Sequence, residues 1–209
     1  LSGVNGGWTV EAAEEVCSDD TIDKNEILDL LSQLTEKSVI IYNHSKNRYR
    51  ILESLKQYGI EKLSDGKEIF LQHLNYFLKL SGNAKPELRG ENTKFWMHII
   101  EADHNNFISA IELSVNNENK ETGAVISNAL GSFWSRMGQY STGIRLIEII
   151  LESSGSLSKL LKGDILNWIG NFRISLGDNE QAKKYLEESL DLNKEIGCLL
   201  YTSPSPRDR

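Results

Sequence analysis

Cysteine and proline are both scarce, with two Cys and three Pro in 209 residues. Two thiols, Cys17 and Cys198, cannot build a disulfide framework and suit a reducing compartment, so the expected location is cytoplasmic. Cys17 reads as a small apolar residue buried at a helix end. No apolar run approaches the ~18 residues that would suggest a membrane span. A signal peptide is also missing at the start, although Leu1 is not methionine and the chain is expected to begin inside a longer protein. Basic excess is lacking too: 23 Lys and Arg stand against 30 Asp and Glu, a net charge of −7. Phosphate binding requires concentrated cations, so this balance argues against a polyanion-binding surface and against nucleic acid as the main partner.

Motifs that carry chemistry are absent as well. No GxxxxGK[ST] loop occurs to cradle phosphates, nor an apolar strand ending in an acidic pair to hold a metal. The chain is therefore not expected to hydrolyse ATP by itself. His44, His73, His98 and His104 are scattered, without the i, i+4 spacing and glutamate of a zinc site. His104, between Asp103 and Asn105, reads as part of a helix start. No nucleophile elbow is present, and no Ser, His and Asp set can be placed together. Glu14 with Glu15, and Glu187 with Glu188, read as solvated helix faces. No catalytic, cofactor or metal residue is expected.

What the sequence does contain is a helical pattern written twice. Asn128, Gly131, Gly138, Glu148 and Leu151 recur 39 residues later as Asn167, Gly170, Gly177, Glu187 and Leu190. Self-similarity at a fixed period is the mark of stacked repeats. In the second copy Ile165, Trp168, Ile169, Phe172 and Leu176 form one stripe of a helix. Gly177 can close that helix in the left-handed conformation, and Asp178 or Asn179 can cap the next. The second helix is expected to bury Ala182, Tyr185, Leu186, Ser189 and Leu190. Each unit is thus a helical hairpin, with Trp134 and Gly143 of the first copy standing where the second has Arg173 and Ala182. The loop Ser153 to Ser158 absorbs the long period. A weaker second-helix pattern, Phe107, Ala110 and Ile111, lies about one period upstream.

Residues 1–64 follow a different plan. Thr9 can cap a helix over Val10 to Cys17, with Glu11 in its first turn. Asp19, Asp20 and Asp23 mark a turn before a second helix, about Asn25 to Lys37, in which Ile27, Leu28, Leu30, Leu31 and Leu34 give a broad buried face. Val39 to Tyr42 and Arg48 to Leu52 read as a β-hairpin closed by Asn43 to Asn47, with Tyr49 and Ile51 inward and Arg48 and Arg50 in water. A last helix, Glu53 to Leu63, would bury Leu55, Tyr58, Gly59 and Leu63. Helix, helix, hairpin is a winged-helix order. This segment has seven Lys or Arg against eleven Asp or Glu, and its presumed recognition helix shows Asn25, Asp29, Gln33 and Glu36. DNA binding through Lys46, Arg48 and Arg50 of the hairpin is therefore the alternative, not the leading, expectation.

Residues 65–116 read as a helical connector. Phe70, Leu71, Leu74, Phe77 and Leu78 line a helix from Gly66 to Ser81, and Gly82 to Gly90, with Pro86, is the clearest break. From Lys94 the pattern resumes, with Phe95, Trp96, Ile99 and Ile100 preceding Asp103, a candidate cap for a helix holding Phe107, Ile108 and Ile111. Asn116 to Glu121 is a polar turn into the repeats of 117–197. Trp8, Trp96, Trp134 and Trp168 each sit on an apolar stripe and read as core. Residues 198–209, CLLYTSPSPRDR, lose all periodicity, resemble translated adapter sequence and are expected to form an unstructured tail.

The runs GGWTVEAAEEVC, ILDLLSQLTEKSVI and RYRILESLKQYGIEKL resemble the winged helix that follows the nucleotide-binding module in bacterial STAND-class signal-transduction ATPases. The likeness continues through HLNYFLKL and IEADHNNFISAIEL and covers about Gly6 to Gly197. Gly170, Ala182 and Leu186 are similar to the tetratricopeptide (TPR) pattern, although Arg173 stands where that family prefers tyrosine and no proline closes the repeat. The resemblance implies a mainly α fold: a partial winged-helix domain with a short β-hairpin, lacking its first helix, then an α-solenoid of TPR-like hairpins. It also implies an upstream NB-ARC-like ATPase domain of the same chain as partner, with ATP or ADP bound there. The repeats would offer a concave surface to a protein or peptide ligand, and Asn128, Arg136, Asn167 and Arg173, on the first helices, are the candidate contacts.

Overall fold

The computed structural model describes residues 7–62, 66–153 and 155–197 and shows a mainly α chain with one two-stranded antiparallel hairpin near its start. Helix α1, Val10–Cys17, is capped as its sequence implies, with Thr9 Oγ1 accepting from the Ala12 N–H at 3.3 Å. Asp23 and Glu26 form a reciprocal capping box over a 3-10 turn, Lys24–Glu26, that opens α2, Ile27–Glu36. Strands β1, Ile40–Asn43, and β2, Arg48–Ile51, pair with Tyr42 opposite Tyr49. Trp8 extends this ladder: its N–H and C=O exchange bonds of 2.8 and 2.7 Å with Tyr49. Trp8, Ala12, Ala13, Ile27, Leu31, Ile40 and Tyr49 form the small core of this unit, which α3, Glu53–Lys62, follows.

Three expectations for residues 1–64 change. The buried face of α2 is narrow: Ile27 and Leu31 are inside, whereas Leu28, Leu30 and Leu34 are exposed, because only one side of this short helix meets α1 and β1. Arg48 is buried rather than in water. Strand alternation does put it on the face opposite the small core, but that face is covered by α5. Arg50 is exposed as expected, Tyr58 is exposed against expectation, and Leu63 lies outside the described residues.

The rest is a stack of helical hairpins. Helix α4 is Lys67–Glu87, α5 Thr93–Asn116, α6 Lys120–Met137, α7 Tyr140–Glu152, α8 Lys159–Ser175 and α9 Asn179–Glu195. Successive helices pack together, α4, α6 and α8 also touch in series, and α5 touches α7. One core runs through them, with Phe77, Phe107, Phe133, Trp134 and Phe172 among its largest buried side chains.

Close packing explains the repeated glycines. A Cβ on Gly131 of α6 would stand 2.1 Å from Trp168 Cε2, and one on Gly170 of α8 would stand 2.5 Å from Leu186 Cγ. Gly138 and Gly177 close α6 and α8 at φ +67° and +81°, the left-handed conformation expected of them. Asp178 then caps α9 by accepting from the Gln181 N–H at 3.3 Å.

Two helices run longer than their sequences imply. Helix α4 continues through Gly82 and carries Pro86 in its last turn, where the missing N–H forfeits only the bond to the Gly82 carbonyl. Helix α5 continues through Asp103, which does not cap anything but points its carboxylate at Arg48. Leu71, Phe95 and Leu176 are exposed, and so is Leu190, at 53%. Leu151, one repeat earlier than Leu190, packs on the core because a further hairpin covers it. No such hairpin follows α9 among the described residues.

Candidate functional site

The first helices of the three hairpins, α4, α6 and α8, share a polar groove of about 490 Å³. Its floor is a hydrogen-bonded chain. The repeat places Asn128 on α6 opposite Asp164 and Trp168, which stand one turn apart on α8 and so share a face. Asn128 Nδ2 donates to Asp164 Oδ2 at 2.8 Å, and Asn128 Oδ1 accepts from Trp168 Nε1 at 3.1 Å. Asn128 is buried and has both ends of its amide occupied, which fixes its orientation. Trp168 is half-buried rather than core: its edge is spent on Asn128, and the ring lines the groove. Ser132 and Ala129 continue the floor along α6.

The rim is charged asymmetrically. On the α4 side, Lys85 and Arg89 are exposed, with Pro86 between them. Neither makes an ion pair among the described residues, whereas most other cations on the helical stack, Lys79, Arg145, Lys159, Lys162 and Arg173 among them, do. On the α8 side stand Asp164 and exposed Asn167.

Of the four residues named from the sequence, the structure brings Asn128 and Asn167 together in this groove. Arg136 is exposed in the last turn of α6, outside the groove lining. Arg173 is tied into the stack, donating to Glu148 Oε1 at 2.8 Å and Asp178 Oδ2 at 3.1 Å, with Tyr185 Oη on the same Glu148 oxygen at 3.3 Å. The sequence pattern does not single out Lys85 and Arg89, because Pro86 reads as a break, nor Asp164, which immediately precedes Ile165, the first residue of the periodic stripe. The one available signal was the i, i+4 spacing of Asp164 with Trp168 inside the repeat.

A second cleft, of about 620 Å³, lies between the β-hairpin and α5, with Lys46, Arg50, His98 and Glu101 on its walls. Arg48 reaches through it to close a buried knot. Its Nη1 donates to Asp103 Oδ2 at 3.1 Å, its Nη2 donates to Asp103 Oδ1 and to the Gly7 carbonyl at 2.7 Å, and Asn106 Nδ2 bonds the same carbonyl at 3.0 Å. Of the three basic hairpin residues, Arg48 is thus committed inside the fold.

Burial shifts the titration of His73, His104 and Cys17. His73 is buried beside Phe77, and desolvation pushes its pKa down to about 3. Burial also lowers His104, whose Nε2 accepts from Trp134 Nε1 at 3.0 Å, so it is not a helix cap. Burial raises the half-buried Cys17 thiol, which disfavours the thiolate. Among the described residues no group of three or more His, Cys, Asp or Glu could hold a metal, and no helix is long and apolar enough to cross a membrane.

Comparison with known proteins gives a distant likeness. The chain is similar to proteins of Mycobacterium tuberculosis and Mycobacterium bovis that carry the name "Putative HTH-type transcriptional regulator", at 24% identity over 151 residues in each case. The match covers 70% of this chain and 17% of theirs, so the chain spans about a sixth of these relatives' length. No protein-family profile and no solved structure matches it.

Proposed function

We propose that these residues form a non-catalytic regulatory and protein-interaction segment of a larger signal-transduction ATPase or transcriptional regulator. The observation that carries this is the groove over α4, α6 and α8, built on a rigid stack with its floor locked by Asn128. TPR-like hairpins present their first helices along such a surface, where an extended peptide is read by shape and charge. The winged-helix-like unit would couple that surface to an upstream nucleotide-binding domain, where ATP or ADP would sit. Its attachment to α5 through Arg48 and Asp103 makes the coupling mechanical: movement of the repeats would be passed on rather than absorbed.

Panning a displayed random-peptide library on the full chain tests this. Selected peptides should slow amide hydrogen exchange in α6 and α8, and Asn167→Ala should weaken them. Protection confined to other helices would remove the groove as the partner site.

A second proposal, DNA binding by the hairpin, draws on the relatives' name and on exposed Lys46 and Arg50. It is weaker, because Arg48 is engaged elsewhere and the surrounding segment is acidic. Salt-dependent duplex binding by the full chain, lost in Lys46→Glu with Arg50→Glu, would support it.

A further inference from the structure

The groove's own chemistry narrows what it would hold. We infer that it takes an acidic, extended peptide segment, seating a side-chain carboxylate between Lys85 and Arg89 while the peptide main chain crosses Trp168 toward Asp164. This rests on the reading of the groove as the partner site.

Three observations converge on that ligand. First, Lys85 in the last turn of α4 and Arg89 just beyond its C-terminal end both line the groove, so both can reach one anion there. They have no ion pair among the described residues, in a chain with net charge −7 whose other carboxylates are abundant. A planar guanidinium takes a carboxylate through two parallel N–H donors, and the neighbouring ammonium adds a point charge.

Second, the floor between the two rims offers surface rather than new charge. The Trp168 N–H is already given to Asn128 and the ring packs on Gly131 and Phe172, so the part of the ring that lines the groove and exposed Pro86 remain for a main chain and small side chains to lie on. Third, the far rim accepts hydrogen bonds. Asp164 uses Oδ2 for Asn128, and Oδ1 makes no hydrogen bond among the described residues, which leaves it facing the N–H donors of a passing chain. Asn167 accepts from Asn171 Nδ2 through its own Oδ1 at 3.3 Å, leaving its amide N–H groups free to donate.

The arrangement is therefore polarised, anion-seeking at α4 and donor-seeking at α8. A peptide with an acidic side chain next to free main-chain N–H groups satisfies both ends. A nucleic-acid strand satisfies only the first, and would carry its next phosphate toward Asp164.

Three short dye-labelled peptides that share one Gly, Ser and Leu frame and carry Glu, Gln or Lys at the same positions, measured by fluorescence anisotropy against the full chain, test the inference. The Glu peptide should bind about tenfold tighter than the Gln peptide, lose that advantage as salt rises, and protect α6 and α8 from hydrogen exchange. Lys85→Glu with Arg89→Glu should reverse the order in favour of the Lys peptide with the circular dichroism unchanged, both positions being exposed. If the Gln peptide binds as tightly as the Glu peptide and protects the same helices, the groove stays as a partner site and the acidic ligand is wrong. Failure of the Glu peptide to bind, or its displacement by a single-stranded oligonucleotide at equal charge concentration, would also overturn the inference.

Discussion

Arg48 and Asp103, 55 positions apart in sequence, form a two-pronged ion pair whose side chains are each only 9% exposed. The pair joins β2 to the middle of α5, and the Gly7 carbonyl and Asn106 add hydrogen bonds to it. Removing one partner leaves an uncompensated buried charge, which costs about 3–5 kcal/mol. Arg48→Met alone, or Asp103→Leu alone, should lower the denaturation midpoint and raise hydrogen exchange in the β-hairpin. The double substitution should recover most of the loss, because desolvation of both charges goes with them. If the double variant were as unstable as either single one, the pair would not be what holds the hairpin on α5.

Gly131 marks how closely α6 and α8 approach. A methyl there would fall 2.1 Å from the Trp168 ring, which must move and take the Asn128 bond with it. Gly131→Ala should destabilise the chain by about 1–3 kcal/mol and shift Trp168 emission toward longer wavelength. Gly82→Ala is the converse case. This glycine is inside α4, and a methyl added there would meet nothing within 4 Å, so alanine should stabilise by up to about 1 kcal/mol by restricting the unfolded chain. Thermal melts of the two variants should move in opposite directions.

Helices and turns with strong local signals were legible in the sequence. Thr9, Gly138, Gly177 and Asp178 do in the structure what capping chemistry requires of those residue types. The 39-residue register likewise put Gly131 and Gly170 at positions where a neighbouring side chain closes in. What local pattern cannot carry is the identity of the element that covers a face. Period-two alternation assigns Arg48 to the side away from Tyr49 but is silent on α5 lying there, and helical periodicity makes Leu28, Leu34 and Leu190 apolar-face residues whether or not anything packs on them. The groove was half visible. Asn128 and Asn167 followed from the repeat, while Lys85 and Arg89 lay in a stretch where Pro86 suggests a break, although a proline in a last turn removes just one bond.

His73 should make the chain acid-sensitive. Its folded pKa, about 3, is far below the ordinary 6.5, with burial as the leading cause. Below pH 6.5 the unfolded state therefore binds a proton that the folded state refuses, and stability falls as pH drops toward 3. The slope is at most about 1.4 kcal/mol per pH unit for one such group. His73→Leu should flatten the urea-denaturation free energy between about pH 6 and 4 relative to the parent chain, and carboxylates common to both proteins cancel in the difference. Equal slopes in the two proteins would mean that His73 takes up its proton while folded.

Arg136 and Arg173 separate binding from architecture. Arg173 ties α8 to Glu148 of α7 and to Asp178 at the start of α9, with side-chain exposures of 26%, 30% and 35% for the three. Partly screened, charge-assisted bonds of this kind contribute about 1–2 kcal/mol together, so Arg173→Ala should lower stability by that amount. A double-mutant cycle with Glu148→Gln should show the two positions coupled. Arg136 sits exposed in the last turn of α6, where a cation interacts favourably with the helix dipole, and its removal should change stability by less than about 0.5 kcal/mol. Neither lines the groove, so neither alanine variant should alter the anisotropy titration of a groove-bound peptide by more than about twofold, after correction for any unfolded fraction of Arg173→Ala. A larger loss in Arg136→Ala would move the partner from the groove over α4, α6 and α8 to the end of the stack where α6 turns into α7.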